Sequence, residues 1–468
     1  MASLHTSFLN FSLSSFVLLL LSCSWYKVSW AHDGETVEIA VHSLLPETNC
    51  IPSSKGFDNH PSGKLQLVDV NGPCSPLETT PSLEEILHQD QLRVRSIHSM
   101  INKHVRDSKA KIPTRFGLPF KTKNYVVNIG VGTPNQNLWV TMDTGSSLSW
   151  ILCKTCPNCR GLPFSPSQSS SYSNIACGSA DCSQAYSATH HSPACRDACI
   201  YQTQYADSDY SVGFFARETL RLTPSDVFPG FKLGCGHDVK LRDSTSGILG
   251  LGSHPASLVY QTATKFGKVF SYCLPSSTNS NGFLAFGNQT GSTSPAVRYI
   301  RLILNPQNPD LYYVPLNGIS LNGRRLAIPA STFSAHGTVI DSGTIVSYLP
   351  PSAYIILRNA FRAAMSGYPS ATPPRGGVYD TCYDLSRNRT VTIPSIKLNF
   401  GGGIDLLLDQ YSGVITNVGS YKFCLAFSAN DDEEETTIIG SIQQKTYEVI
   451  YDVPRGRLGF RSVGATCN

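Results

Sequence analysis

The 468-residue sequence predicts an all-β fold, mainly β with short helices and built as two similar lobes. Three observations lead there. From about Lys111 onward, short runs rich in Val, Ile, Tyr, Phe and Thr alternate with Gly, Pro, Asn and Ser, as in NYVVNIGVGTPNQNLWVTM and TYEVIYDVPRGRLGFRS. A strand-like run ending in Asp, a hydroxyl residue, Gly and a second hydroxyl residue occurs twice, in VTMDTGSS from Val140 and TVIDSGTI from Thr338. Each is followed by an apolar-apolar-Gly sequence: Gly250 lies 107 residues after Asp143 and Gly440 lies 99 after Asp341, intervals close enough to suggest an internal duplication.

The segments before the β body read differently. An apolar stretch from Ser15 to Cys23 is too short to span a bilayer and is followed by small residues near Ser29 and Ala31. Residues 1–31 are therefore expected to be a cleaved secretory signal, although its early region lacks Lys and Arg. No later stretch offers the roughly 18 unbroken apolar residues of a membrane helix. Within PSLEEILHQDQLRVRSIHSMINKHV, Leu83, Ile86, Leu87, Val94, Ile97, Met100 and Ile101 recur near helical spacing, with Ser82 placed to cap and Glu85 three residues on. A basic helix between a signal and a β body is expected to belong to a prosegment over 32–120; a helical decoration of the mature fold is the alternative. The lobes would then span 121–300 and 301–468.

Charge excludes one class of function. Residues 81–123 carry nine Lys or Arg against four Asp or Glu, whereas the chain from Asn124 onward has 25 basic and 22 acidic residues. So even a balance leaves no nucleic-acid footprint, which needs cations concentrated on one face.

Fifteen cysteines suit an exported, oxidised protein. Cys23 falls in the signal, and Cys50 and Cys74 in the prosegment. The remaining twelve, Cys153, Cys156, Cys159, Cys177, Cys182, Cys195, Cys199, Cys235, Cys273, Cys382, Cys424 and Cys467, are compatible with six disulfides whose pairing the spacing leaves open. The close trio Cys153, Cys156 and Cys159 lacks a second ligand set at zinc-finger distance, so no metal is expected.

Chemistry is concentrated at the repeated motif. Asp143 and Asp341 each end a strand run before a glycine that permits a tight turn, among small hydroxyls. A single buried carboxylate is costly, but two related by a pseudo-two-fold axis can share one proton, because like charges about 3 Å apart resist joint ionisation. One member can then activate water while the other protonates a substrate carbonyl, so peptide cleavage needs no cofactor, metal or covalent intermediate. Thr144 and Ser342 can donate across the pair, Ser146 and Thr344 can bond the outer carboxylate oxygens, and Gly145 and Gly343 make the turns. A lone Asp-Thr-Gly would be read as an ordinary turn; two in matching contexts are not.

On these motifs the sequence resembles the pepsin-like aspartic proteases, and more closely their plant nepenthesin-like branch with its chloroplast-nucleoid relatives. The resemblance runs from about Asn124 to Cys467, and GPCSPL with DQLRVRSIHS resembles that branch's prosegment. It implies a bilobal fold with the dyad at the floor of a long cleft. YADSDYSVGFFARETL resembles the flap hairpin, which would place Tyr205 over substrate with Trp150 as its hydrogen-bonding partner. Ala206, Ser208 and Asp209 stand where glycines are common, implying a stiffer flap tip. The cysteines from Cys153 to Cys199 resemble the insertion of that branch. One of Lys103, Lys109, Lys111 and Arg115 is expected to reach the dyad in the precursor, as prosegment lysines do in relatives, and acid pH to favour release.

Two sequons, NQT at Asn288 and NRT at Asn388, are glycosylation candidates. The acidic run Asp431 to Glu435 reads as a solvated loop rather than a cation site, because successive acids repel. The expectation is thus a secreted, monomeric, acid-active plant aspartic endopeptidase that acts on protein or peptide substrates, with its own prosegment as inhibitor. Its location would be the apoplast, or else the vacuole. The alternatives are an idle protease-fold inhibitor or binding protein, as in plant xylanase inhibitors and dermal glycoproteins, and a plastid DNA-associated protease. The sequence lacks G-x-S-x-G and H-E-x-x-H, which speaks against other hydrolase classes.

Overall fold

The computed structural model describes residues 36–46, 49–50, 62–76, 82–103, 125–156, 159–189, 191, 194–204, 210–240, 244–276, 281–303, 305, 308–464 and 467. The expected signal, residues 1–31, the expected flap residues Tyr205, Ala206, Ser208 and Asp209, and Lys109, Lys111 and Arg115 lie outside them. Strands dominate, as the repeated β-rich runs predict, and the molecule is a bilobal β structure. Among the described residues the largest sheet holds 15 strands, beside smaller sheets of four, four, three and two strands.

Both aspartate motifs fold the same way. Gln136–Asp143 pairs in parallel with Gly247–Gly250, setting Asp143 opposite Gly250. In the second lobe Thr338–Ile340 pairs in parallel with Thr437–Ile439, and the Asp341 amide donates to the Ile439 carbonyl at 3.1 Å. The apolar-apolar-Gly sequences are thus the strands that flank each aspartate loop, which accounts for their matching intervals. Apolar alternation is weak here: Tyr125–Val131 is buried at six of its seven positions, the pattern of a strand covered on both faces.

The N-terminal segments are woven into this framework. Lys64–Asp69 lies between Gly282–Phe286 and Tyr125–Val131, with Leu67 opposite Gly282 and Val68 opposite Val126. Val37–Ala40 adds to the edge of Thr390–Ile393. The segment expected to be a partly helical prosegment therefore contributes two strands as well. Backbone pairing is satisfied only through tertiary partners, so these short strands had no local signature strong enough to read.

The helix Leu83–Lys103 forms as its periodicity predicts. Its start is a reciprocal capping box: the Ser82 amide donates to Glu85 Oε2 at 2.7 Å, and the Glu85 amide donates to Ser82 Oγ at 3.3 Å. Leu87, Val94 and Ile97 are buried against Leu311, Tyr313, Val339, Val346, Tyr348 and Tyr379 of the second lobe. Fully burying three such side chains contributes on the order of 5–9 kcal/mol of gross apolar stabilisation before entropy is subtracted.

Among the described residues seven disulfides staple the fold: Cys50–Cys74, Cys153–Cys235, Cys156–Cys159, Cys177–Cys195, Cys182–Cys199, Cys273–Cys467 and Cys382–Cys424. The twelve cysteines of the β body form six of them, and the remaining one, Cys50–Cys74, lies in the segment before the β body. Among the described residues no helix is long and apolar enough to cross a membrane, and no His, Cys, Asp and Glu cluster could hold a metal ion.

Candidate active site

The two aspartate loops meet at the lobe interface. The Ser342 amide donates to Thr144 Oγ1 at 2.9 Å, and Thr144 Oγ1 donates to Ser342 Oγ at 3.1 Å. These cross-bonds tie each loop to the other, so neither carboxylate can shift alone. Ser146 Oγ donates to Asp143 Oδ2 at 2.5 Å and Thr344 Oγ1 to Asp341 Oδ2 at 2.6 Å. The Gly145 amide reaches Asp143 Oδ1, and the Gly343 amide Asp341 Oδ1, each at 3.1 Å. Every hydroxyl and glycine named from the sequence thus stands beside its aspartate.

Both carboxylates are buried, and a cation lies between them. Arg93, from the helix, donates through Nη2 to Asp143 Oδ1 at 2.6 Å and to Asp341 Oδ1 at 2.8 Å. Its Nε donates to Asp341 Oδ2 at 2.7 Å. One nitrogen touching both side chains means that their oxygens are no further apart than the sum of those two distances. That spacing is one a shared water could bridge. A Cβ on Gly145 would stand 2.6 Å from Arg93 Nη2, so the glycine leaves room for whatever rests on the pair.

Electrostatics follow from this contact. Burial pushes the Asp143 carboxyl up, but the Arg93 charge, the Ser146 hydroxyl and the Gly145 amide outweigh it and hold Asp143 below the usual carboxylate range. Burial likewise disfavours the Arg93 charge, and Asp143 and Asp341 overcome it, holding the guanidinium's pKa well above its ordinary value. An arginine is suited to the position because its planar fork matches several carboxylate oxygens at once.

Among the described residues the cation on the dyad is Arg93, a residue not among the four basic residues nominated from the sequence. Lys109, Lys111 and Arg115 lie outside the described residues, as does the side chain of Lys103. The helix pattern held a signal for Asp90 rather than for Arg93. Leu87, Asp90, Val94 and Ile97 share one helical face, and a charged residue on an apolar stripe requires a partner. Asp90 is 2% exposed; its carboxylate accepts from the backbone amides of Ile345 and Val346, the latter at 3.0 Å. Burial lifts its pKa to about 7, against the pull of those two amides and of Arg93.

Further contacts hold the helix. His98 Nε2 lies 2.8 Å from the Thr436 carbonyl and His98 Nδ1 lies 3.2 Å from Glu435 Oε2. Arg95 reaches Asp431 at 3.1 Å on the exposed side. The acidic run is not merely solvated, as expected from its sequence: Asp431 and Glu435 meet the helix, and Glu433 accepts from the amide and hydroxyl of Ser352. The helix packs on the second lobe with Arg93 on the dyad, and a cavity of about 910 Å³ opens beside its last turn, among Ile101, Tyr313, Phe333 and Glu435.

A buried polar platform beneath the dyad was not legible from the sequence. Gln444 Nε2 donates to the Asp341 carbonyl at 3.2 Å and to the Ile439 carbonyl at 3.0 Å. Its Oε1 accepts from Tyr272, whose hydroxyl lies 3.1 Å from that of Tyr451. Of the expected flap pair, Trp150 is 1% exposed and packed with Tyr201, Phe215 and Val239. Asn288 is exposed and Asn388 half-buried.

Paired loops of this form, on two β lobes that share one carboxylate pair, define a pepsin-like aspartic-type endopeptidase. The chain belongs to the plant branch of that family. Residues 125–288 match the family model described as xylanase inhibitor N-terminal, and residues 311–462 the model described as xylanase inhibitor C-terminal. The chain is 38% identical to an aspartyl protease family protein of Arabidopsis thaliana, over 99% of this chain and all of that one. It is 31% identical to the aspartic proteinase nepenthesin-2 of Nepenthes gracilis, over 81% of this chain and 84% of that one. Among solved structures, the basic 7S globulin from soybean superposes with a TM-score of 0.59 at 21% identity, over 73% of this chain and 93% of that one, a likeness of fold alone.

Proposed function

We propose that this chain is the inactive precursor of a secreted, acid-active aspartic endopeptidase, in which a water held between Asp143 and Asp341 attacks the peptide carbonyl. The observation that carries this reading is the placement of both carboxylate groups within hydrogen-bond distance of one nitrogen of Arg93. A site that gathers two carboxylates around one point, with donors on their outer oxygens, suits a shared proton and a bound water. One aspartate takes a proton from the water and later gives it to the leaving nitrogen; the other donates a proton to the substrate carbonyl oxygen and takes one back from a hydroxyl as the tetrahedral species breaks its C–N bond, leaving an amine and a carboxylic acid.

The reading treats the segment before Tyr125 as a prosegment that blocks this chemistry. Arg93 occupies the position the water needs, and the helix that carries it would hinder a peptide from reaching the pair. Release then requires that the ion pairs be weakened, which protonation of Asp143 achieves. Seven disulfides fit an extracellular or vacuolar setting. Tyr205 and Trp150 are the flap pair by resemblance, and Asn288 and Asn388 the glycan acceptors.

A second reading, an idle protease-fold inhibitor, draws on the description of the matching family models. The intact aspartate loops and the cation that neutralises them favour the first, since a binding protein needs neither. A peptide-library digest at about pH 4 separates them. Processed wild type is expected to cleave, and Asp143→Asn to lose cleavage; equal digestion by both removes the mechanism.

A further inference from the structure

We infer that Gln444, held by the phenols of Tyr272 and Tyr451, is a positioning residue of the reaction: its side-chain amide grips the backbone of Asp341 and so keeps that carboxylate in register with Asp143. The inference rests on the endopeptidase reading and adds to it three residues that lie outside both aspartate loops.

The two lobes differ at one bond. In the first lobe the Asp143 carbonyl accepts from the Leu251 backbone amide at 2.8 Å. Counted from the matching glycines Gly250 and Gly440, the corresponding amide of the second lobe is that of Ser441, and it donates to the Thr344 carbonyl instead, at 2.7 Å. The Asp341 carbonyl takes its bond from a side chain, Gln444 Nε2, at 3.2 Å. The same nitrogen donates at 3.0 Å to the Ile439 carbonyl, which also accepts from the Asp341 amide at 3.1 Å. At the other end of the peptide that joins Asp341 to Ser342, the Ser342 amide donates to Thr144 of the opposite lobe. That peptide is gripped at its oxygen and at its nitrogen, and the Asp341 side chain moves with it.

Only one orientation of the Gln444 amide works. Both partners of its nitrogen are carbonyls, which accept and cannot donate, so Oε1 must face Tyr272. The single phenolic proton of Tyr272 goes to Oε1, and the Tyr451 hydroxyl, 3.1 Å away, therefore donates to the Tyr272 oxygen. Tyr272 and Tyr451 are diagonal neighbours on the paired strands Val269–Cys273 and Tyr447–Asp452, and the Tyr451 ring stacks on Phe270 with centroids 4.4 Å apart. All three side chains are fully buried, and burial pushes both phenols well above their ordinary range, so both remain donors in acid and at neutral pH. Without the Tyr272 proton, the Gln444 oxygen could turn towards the two carbonyls and repel them. A reacting group displaced by about 1 Å loses on the order of a hundredfold in rate.

Two variants and two measurements test this. Gln444→Met keeps the length of the side chain and removes both donors; Tyr272→Phe keeps the ring and removes the proton on Oε1. In processed enzyme, Gln444→Met is expected to lower kcat by about tenfold or more with KM little changed. Tyr272→Phe is expected to lower kcat by less, and the double variant to be no slower than Gln444→Met, because Tyr272 acts through Gln444. Wild-type kcat in both single variants, or losses that multiply in the double one, overturns the inference. Should Gln444→Met fail to fold, the kcat and KM of Tyr272→Phe decide it alone. Amide hydrogen exchange in the full-length chain reads the same clamp without cleavage. Residues 341–344 are expected to exchange about tenfold faster in Gln444→Met, while Tyr125–Val131 keeps its protection; exchange at the wild-type rate in 341–344 overturns the clamp. Faster exchange there, with no peptide cleaved by processed wild type, leaves the clamp standing and removes the endopeptidase reading instead.

Discussion

Arg93 Nη2 lies 2.6 Å from Asp143 Oδ1, so the helix places a fixed positive charge on one carboxylate of the buried pair. Removing the guanidinium leaves two buried carboxylates without their counter-ion, a change that costs about 3–5 kcal/mol in buried pairs. Arg93→Ala is therefore expected to loosen the helix and to let the full-length chain cleave a quenched peptide without prior processing. Arg93→Lys restores charge but not the planar fork, and should block cleavage only in part. The rate of peptide cleavage by the unprocessed chain, with its length checked on a gel, measures both.

Asp143 and Asp90 make helix docking respond to pH with opposite signs. Asp143 is held below its ordinary range, so the docking energy it contributes is present above the ordinary value and is lost as pH falls through the depressed one. Asp90 has its pKa raised to about 7. Proton uptake there favours the docked state, so docking strengthens as pH falls from above 7 towards the ordinary carboxylate range. The full-length chain is expected to be most stable at mildly acidic pH and to release the helix only in stronger acid. Asp90→Asn should flatten the neutral-to-mildly-acidic rise in melting temperature while keeping the acid loss; an unchanged profile contradicts the assignment.

Thr144 joins the two loops through its hydroxyl, accepting from the Ser342 amide at 2.9 Å. Thr144→Val keeps the shape and leaves that buried amide without an acceptor, at a cost of about 1–3 kcal/mol. Activity is expected to fall more than stability, because the carboxylates lose their common frame. A kcat reduced by about tenfold or more, with KM little changed, is the expected result from steady-state assays.

Cys273–Cys467 ties the C-terminal end to the central sheet across 194 residues of chain. Replacing Cys467 with Ser is expected to lower stability by about 2–5 kcal/mol. Urea unfolding of the full-length chain measures it, and Asp143 and Asp341 should keep their geometry because the bond lies outside the dyad loops.

Local chemistry wrote much of this molecule. The duplicated Asp-hydroxyl-Gly-hydroxyl runs, the capping box of Ser82 and Glu85, and the helical stripe from Leu83 to Ile101 are short-range patterns, so the sequence by itself determined two β lobes, a carboxylate pair and a preceding helix. The partner of the dyad was not among those patterns. Which basic side chain reaches Asp143 depends on how the helix docks, and docking is decided by Leu87, Val94 and Ile97 against residues more than 200 positions away. The strands Val37–Ala40 and Lys64–Asp69, the seven disulfide pairings and the Tyr272–Gln444 platform were likewise decided only by tertiary structure. The physical reason is common to all of them. A backbone edge, a thiol or a buried hydroxyl is satisfied by a partner distant in the chain, and spacing along the chain does not encode which of several partners the packed core brings within reach.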